Sequence, residues 1–240
     1  MNKLIILLCF IKYIFMALLN LNLNFGKKEK RISEIPFEQL EKIKFKARVA
    51  VVDDEEVPLI EKLQKDGYNI TKYSDVDEID SFIRKKYNVL VLDIQGVGKN
   101  IAGEKEGWGI LSYLKNECPH LVIIVFTGAD WSITKFKEIA DLADFVIGKD
   151  LEYLDFKAKL DAAIKKAFSP KFHFEIEKNM IAKEITNADT FNKIKEIVDS
   201  YGKDKDKAMK KINNITDNSK VLNSVDNYLS IISSIVSLLE

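Results

Sequence analysis

From Ala47 to Phe168, short apolar runs alternate with segments of helical spacing. "ARVAVVDD" is an apolar run that ends in acids, Asp53 and Asp54. "VPLIEKLQKDG" repeats its apolar residues at helical intervals and stops at Gly67. "YNITKY" reads as a strand. "SDVDEIDSFIRKK" reads as a helix capped by Ser74, with acids in its first turn and bases in its last. "YNVLVLD", "HLVIIVFTG" and "DFVIG" are three more strands. "GWGILSYLKNE", "SITKFKEIADLA" and "DLEYLDFKAKLDAAIKKAF" are helices. The strands are nearly continuous in Val, Ile and Leu, so both of their faces are covered. Five strand–helix units in about 120 residues predict an α/β fold, a five-stranded doubly wound parallel sheet.

The flanks differ from this middle. Leu4 to Leu19 is apolar apart from Lys12, and the apolar character continues to Phe25. A membrane-spanning helix needs about 20 such residues. "GKKEKR", ending at Arg31, is more basic than the single Lys3 in front of the run. The positive-inside rule then puts the rest of the chain in the cytoplasm. The expectation is a single-pass anchor in the cell inner membrane over 1–25 and a basic juxtamembrane linker over 26–46. The rivals are a cleaved signal peptide, for which no small-x-small site precedes the basic run, and a buried or partner-binding helix. After the α/β domain at 47–168, Pro170 in "SPKFHF" breaks the last helix, and 169–240 reads as a small all-α region. "EIEKNMIAKEI" and "ADTFNKIKEIVDSYG" are amphipathic, and "KDKDKAMKK" is a solvated helix. The last helix, "VLNSVDNYLSIISSIVSLL", carries too much Ser and Asn for a second span and is expected in a helical bundle.

Composition narrows the function. Formal net charge is +0, which gives no bulk-charge case for nucleic acid, and no basic reading helix is visible. The two cysteines, Cys9 and Cys118, suggest neither a disulfide framework nor a metal site. His120 and His173 have no zinc-ligand spacing around them. Trp108 and Trp131 sit at helix starts and read as packing residues rather than ligand platforms.

Parallel sheets place their sites at the carboxyl ends of the strands. The residues there are Asp53 and Asp54 after the first strand, Asp93 after the third, Thr127 after the fourth and Lys149 after the fifth. Carboxylates converging on one edge repel unless a cation joins them, and oxygen ligands suit a hard ion such as Mg2+. A lysine and a threonine hydroxyl add a charge and a donor for an anion. The set reads as phosphoryl transfer with a carboxylate nucleophile. A phosphate-cradling loop at "DIQGVGKN" is excluded, because Asp93 stands where its first glycine belongs and Asn100 where Ser or Thr belongs.

"VAVVDDEE", "VLVLDI", "IIVFTGA" and "DFVIGKD", in that order, resemble the receiver domain of bacterial two-component response regulators. The resemblance covers about half of the chain and implies the CheY-like, flavodoxin-like fold. It implies that Asp93 is the phosphoacceptor, that Asp54 binds Mg2+ directly with Asp53 assisting, and that the Gln95 main-chain carbonyl is a further ligand. It implies that Thr127 and Lys149 hold the phosphoryl group. The implied partners are a histidine kinase or phosphotransfer protein and an unknown output protein. A homodimer is also compatible, and no nucleic acid is expected. The resemblance implies at most self-phosphorylation from a donor and autodephosphorylation as enzymatic activity.

The chain departs from that pattern. The loop "IQGVGKNIAGEKEG" is longer than usual, and its glycines read as flexible lining. Asp150 replaces the proline after Lys149, where it can compete for the lysine's charge. Val146 stands where the switch aromatic is expected, and Ala129 leaves an open approach. The alternative reading is a pseudo-receiver that docks or scaffolds without phosphorylation. A phosphatase reading lacks its second acid, since Gln95 occupies that position.

Overall fold

The computed structural model describes residues 31, 43–128, 130–200 and 204–239. The expected membrane anchor at 1–25, most of the linker 26–46 and Ala129 lie outside the described residues. The strands are β1 Val49–Val52, β2 Ile70–Tyr73, β3 Val89–Leu92, β4 Val122–Thr127 and β5 Phe145–Gly148. The helices are α1 Pro58–Lys65, α2 Ile79–Arg84, α3 Lys99–Ala102, α4 Gly107–Glu117, α5 Asp130–Lys135, α6 Lys137–Ala140 and α7 Tyr153–Ala167, then α8 Pro170–Glu184, α9 Ala188–Ser200, α10 Lys205–Asn213 and α11 Ser219–Leu239.

All strand pairs are parallel, and the sheet order is β2-β1-β3-β4-β5. This is the doubly wound order in which strand progression reverses between β1 and β3, opening a crevice at their carboxyl ends. Pairing sets Val52 beside Leu92 and Leu92 beside Val125. The residues that follow β1 and β3 therefore emerge side by side. The α/β expectation holds, and α4 spans the same residues that its periodicity predicts.

Side chains alternate between the two faces of each strand. Val49, Val51, Val89, Val91 and Ile124 pack with Ile60 and Leu63 of α1 and with Phe156, Leu160 and Ile164 of α7. Ala50, Val52, Leu90, Leu92 and Ile123 pack with Phe82 of α2 and with Ile110, Leu111 and Leu114 of α4. Phe126 and Phe156 meet edge-on at 5.2 Å. Each fully buried side chain of this size contributes about 1.5–3 kcal/mol.

Several local expectations change. α2 begins after Glu78, so Ser74 does not cap it. Its neighbour Asp75 is tied elsewhere: Oδ1 accepts the N–H groups of Val76 and Gly98 at 2.7 and 2.6 Å. The helix expected over "SITKFKEIADLA" is two pieces, because Phe136 leaves helical geometry between α5 and α6. Its ring lies 5.9 Å from that of Trp108, which is buried as a packing residue. The side chain of Trp131 lies outside the described residues. Pro170 does end the preceding helix, but it also begins α8: Ser169 Oγ accepts the Phe172 N–H at 3.3 Å, and proline's missing N–H costs nothing at this first position.

α11 packs along α8 and α10, and its Val221, Val225, Tyr228, Leu229 and Ile232 join the apolar cluster on the α7 side of the sheet. Among the described residues, Ser219–Leu238 alone is long and apolar enough to cross a membrane by length and composition. Its buried stripe places it in the expected bundle. Inside that bundle Glu177 of α8 is buried, and the Ser224 hydroxyl lies 2.9 and 2.8 Å from its two carboxyl oxygens. Burial pushes the Glu177 carboxyl up to about 7, and the Ser224 hydrogen bond opposes the shift.

One contact between the α/β domain and the bundle has no trace in the sequence pattern. His120, before β4, meets His173 of α8 with the two Nδ1 atoms 3.0 Å apart. His173 Nε2 donates to the Ala167 carbonyl at 2.7 Å. Its Nδ1 is therefore the acceptor, and His120 Nδ1 carries the shared proton. Burial, with His173 beside it, pushes His120 down to about 3. Burial pushes His173 down to about 4, against the Ala167 hydrogen bond. Both rings are neutral at physiological pH.

Candidate functional site

The crevice between β1 and β3 gathers most of the residues singled out by the sequence. Asp53 follows β1 and is buried, as is Asp93 after β3. Asp54, one residue on, is exposed. One carboxylate oxygen from each of the three lies within 4.8 Å of the others. Lys149, after β5, reaches across: its Nζ donates to Asp93 Oδ2 at 2.7 Å and to Asp53 Oδ1 at 3.1 Å. Thr127 ends β4 beside Gly148 and is buried at the same edge.

Backbone geometry holds the carboxylates. Asp93 Oδ1 accepts the N–H groups of Ile94 at 2.6 Å and Gln95 at 3.2 Å. Asp53 Oδ1 accepts the Glu55 N–H at 3.0 Å. Asp53 Oδ2 takes no hydrogen bond of good geometry, although Lys149 Nζ lies 3.0 Å away. Three carboxylates that each bring an oxygen to one edge fit a hard cation with oxygen ligands. Mg2+ therefore suits the residues present.

Burial pushes the Asp93 carboxyl above the usual carboxylate range, against the lowering effects of Lys149 and the Gln95 amide. Burial acts to lower Lys149, but its hydrogen bonds to Asp93 and Asp53 and their charges outweigh it and hold the ammonium above the ordinary lysine range. The opposite balances have one reason. The Lys149 side chain keeps 24% of its surface exposed, whereas that of Asp93 keeps 3%. Desolvation weighs more on the acid.

Two glycines are fixed by close approach. A Cβ on Gly96, whose φ is +84°, would fall 2.2 Å from Asp54 Oδ2. A Cβ on Gly107, at the start of α4, would fall 2.4 Å from the Asp93 carbonyl oxygen.

No family model matches the chain, and no curated protein matches it. Solved structures do. The receiver domain of NtrX from Brucella abortus is similar over 49% of this chain and 98% of its own, at 20% identity and a TM-score of 0.41. The beryllofluoride-activated NtrC4 receiver domain dimer is 25% identical over 50% of this chain and 98% of its own, with a TM-score of 0.41. TrrA from Thermotoga maritima, in complex with Mg(2+)-BeF, is 24% identical over 49% of this chain and 98% of its own, with a TM-score of 0.40. All three are receiver domains or response regulators by description, and each spans about half of this chain.

Other details depart from the sequence reading. Lys149 Nζ also lies 3.5 Å from Glu55, an extra acid near its charge that the sequence reading did not single out. Glu55 lies in the acidic run "DDEE", but nothing there distinguishes it from Glu56. Val146, at the place of the expected switch aromatic, is 42% exposed. The long loop after β3 is not slack lining. It holds α3 and a short 3-10 turn, Gly103–Lys105, and buries Ile94 and Val97. Glu106 ties it down by accepting the Gly96 N–H at 2.9 Å.

Proposed function

We propose that this chain is a response-regulator-like signalling protein. Asp93 accepts a phosphoryl group from a histidine kinase or phosphotransfer protein, with Mg2+ held by Asp53, Asp54, Asp93 and the Gln95 main-chain carbonyl. The observation that carries the reading is the convergence of three carboxylates on one crevice, with Lys149 bridging Asp93 and Asp53. The cation supplies neutralisation of charge on the transferring oxygens. The protein's own groups orient the reaction. Amide N–H groups of Ile94 and Gln95 orient Asp93 Oδ1, and Lys149 holds Oδ2, the oxygen that reaches phosphorus. As the new O–P bond forms, the bond from phosphorus to the donor's imidazole nitrogen or carboxylate oxygen breaks, and the leaving group takes that electron pair. Lys149 and the Thr127 hydroxyl then hold the phosphoryl oxygens. The C-terminal helices, packed into the same core, pass the change to an output protein.

The test is direct. Full-length chain in detergent micelles, given Mg2+ and acetyl phosphate, is expected to gain the mass of one phosphoryl group on the peptide that contains Asp93. EDTA is expected to prevent the gain. No gain at saturating donor would leave the pseudo-receiver reading, a docking module that works without phosphorylation. The exposed Val146 in place of a switch aromatic favours that second reading.

We further propose a single-pass inner-membrane anchor at 1–25 with the remainder cytoplasmic, supported by the apolar run and its basic flank. The intact chain is expected to sediment with carbonate-washed membranes, and a chain lacking 1–25 to stay in the supernatant. An intact chain found in the supernatant would remove the anchor from the reading.

A further inference from the structure

The loop that most departs from the receiver pattern delivers one side chain back to the site. Glu106 precedes α4 in the cap position, yet its carboxylate makes no capping hydrogen bond. It turns instead to the N–H of Gly96, with Oε2 2.9 Å away. Lys99, in α3 of the same loop, lies 3.9 Å from Oε1. The Glu106 backbone sits at φ 48° and ψ −134°. That region suits glycine and strains any other residue, and such strain persists only where surrounding contacts enforce it.

The Gly96 contact bears on the cation ligands through the peptide plane. The Gly96 N–H and the Gln95 C=O belong to one planar trans unit, so they point in opposite directions. Fixing the N–H on Glu106 fixes the carbonyl on the far side. The same glycine lies against Asp54, and a Cβ on it would fall 2.2 Å from that carboxylate's Oδ2. One hydrogen bond thus constrains two of the four expected ligands, the Gln95 carbonyl and Asp54.

We propose that Glu106 is a positioning residue for the divalent cation, setting its affinity by locking the Gln95–Gly96 peptide. This rests on the reading of Asp53, Asp54 and Asp93 as the cation site. The strained backbone is the local cost of presenting the carboxylate at that point.

The experiment titrates full-length chain in micelles with Mn2+, a hard divalent stand-in whose free fraction is read by its EPR signal. Wild type, Glu106→Gln, Glu106→Gly and Asp54→Asn are compared, with melting temperatures recorded alongside. Glu106→Gln keeps an oxygen that accepts the Gly96 N–H and is expected to bind within about twofold of wild type. Glu106→Gly loses the acceptor but suits the backbone. It is expected to melt at or above wild type while binding roughly tenfold more weakly, the scale at which groups that orient ligands act. Equal weakening in both Glu106 variants would make the effect one of charge alone and overturn the positioning role. Unchanged affinity in Glu106→Gly would also overturn it. If wild type and Asp54→Asn bind alike, the cation-site reading fails, and this proposal fails with it. Weaker binding by Asp54→Asn with Glu106→Gly unaffected would keep the site and reject only the role of Glu106.

Discussion

Asp93→Asn is expected to lose phosphoryl uptake entirely and, without Mg2+, to melt higher than wild type at neutral pH. The loss follows from chemistry. An amide of the same size has no carboxylate oxygen to attack phosphorus, and removing a covalent nucleophile leaves no second group in its place. The gain in stability follows from burial. The Asp93 carboxyl is pushed above its ordinary range because its desolvation outweighs Lys149 and the backbone amides. For an acid raised in the folded state, the stabilising contribution is full below the unfolded pKa and is lost as pH rises through the folded one. At neutral pH the wild type therefore carries a penalty for holding the buried charge, and asparagine does not.

Mg2+ reverses the comparison. A ligand that binds only the folded state adds about 2.7 kcal/mol at a hundredfold excess over its Kd. The wild type is expected to gain that rise in melting temperature with Mg2+, and Asp93→Asn to gain far less. Melts at pH 7 with Mg2+ and with EDTA, beside intact-mass spectra after acetyl phosphate, read all three effects. A variant that melts lower than wild type in EDTA would show that Asp93 is a structural partner of Lys149 more than a strained acceptor. Retained mass gain would move the acceptor elsewhere.

How much of this was legible before the fold was known depends on whether a feature is local. Asp53, Asp93, Thr127 and Lys149 each follow a run of Val, Ile and Leu, and a parallel sheet turns that position into one shared edge. Their placement could be read because hydrophobic runs mark strands and the topology aligns their ends. The His120–His173 pair could not, since it arises where α8 folds back on the turn before β4 and neither residue lies in a distinctive pattern. Glu106 was equally hidden. In sequence it is one acid in "GEKEG", and its function depends on a left-handed backbone that points it at Gly96. Ser74 misled for a related reason: its segment matched a capping signal, but α2 begins only after Glu78, and Asp75 is tied to the loop after β3. Local rules found the strand ends, and the tertiary contacts that tune them were out of their reach.

Lys149→Met is expected to separate two properties of the site, slowing phosphorylation while strengthening cation binding. The ammonium bridges Asp93 and Asp53 and lies 3.5 Å from Glu55. On the proposed mechanism, its loss removes the cationic side chain that meets the phosphoryl oxygens as the O–P bond forms. Loss of one such preorganised donor slows chemistry by about 10²–10³-fold. The same change leaves Asp53 and Asp93 without their counter-charge, so the crevice attracts a divalent ion more strongly. In EDTA the variant is expected to lose roughly 2 kcal/mol of stability. That is less than breaking a fully buried pair costs, since Lys149 keeps solvent contact. Mg2+ is expected to restore most of that stability but not the rate. Single-turnover phosphorylation from acetyl phosphate, Mn2+ titration and melts with and without Mg2+ measure the three. If rate and cation affinity fell together, Lys149 would be ordering the acidic cluster rather than stabilising the transferring group. If neither changed, the lysine would be a bystander, and the phosphoryl group would be held from the Thr127 side of the crevice.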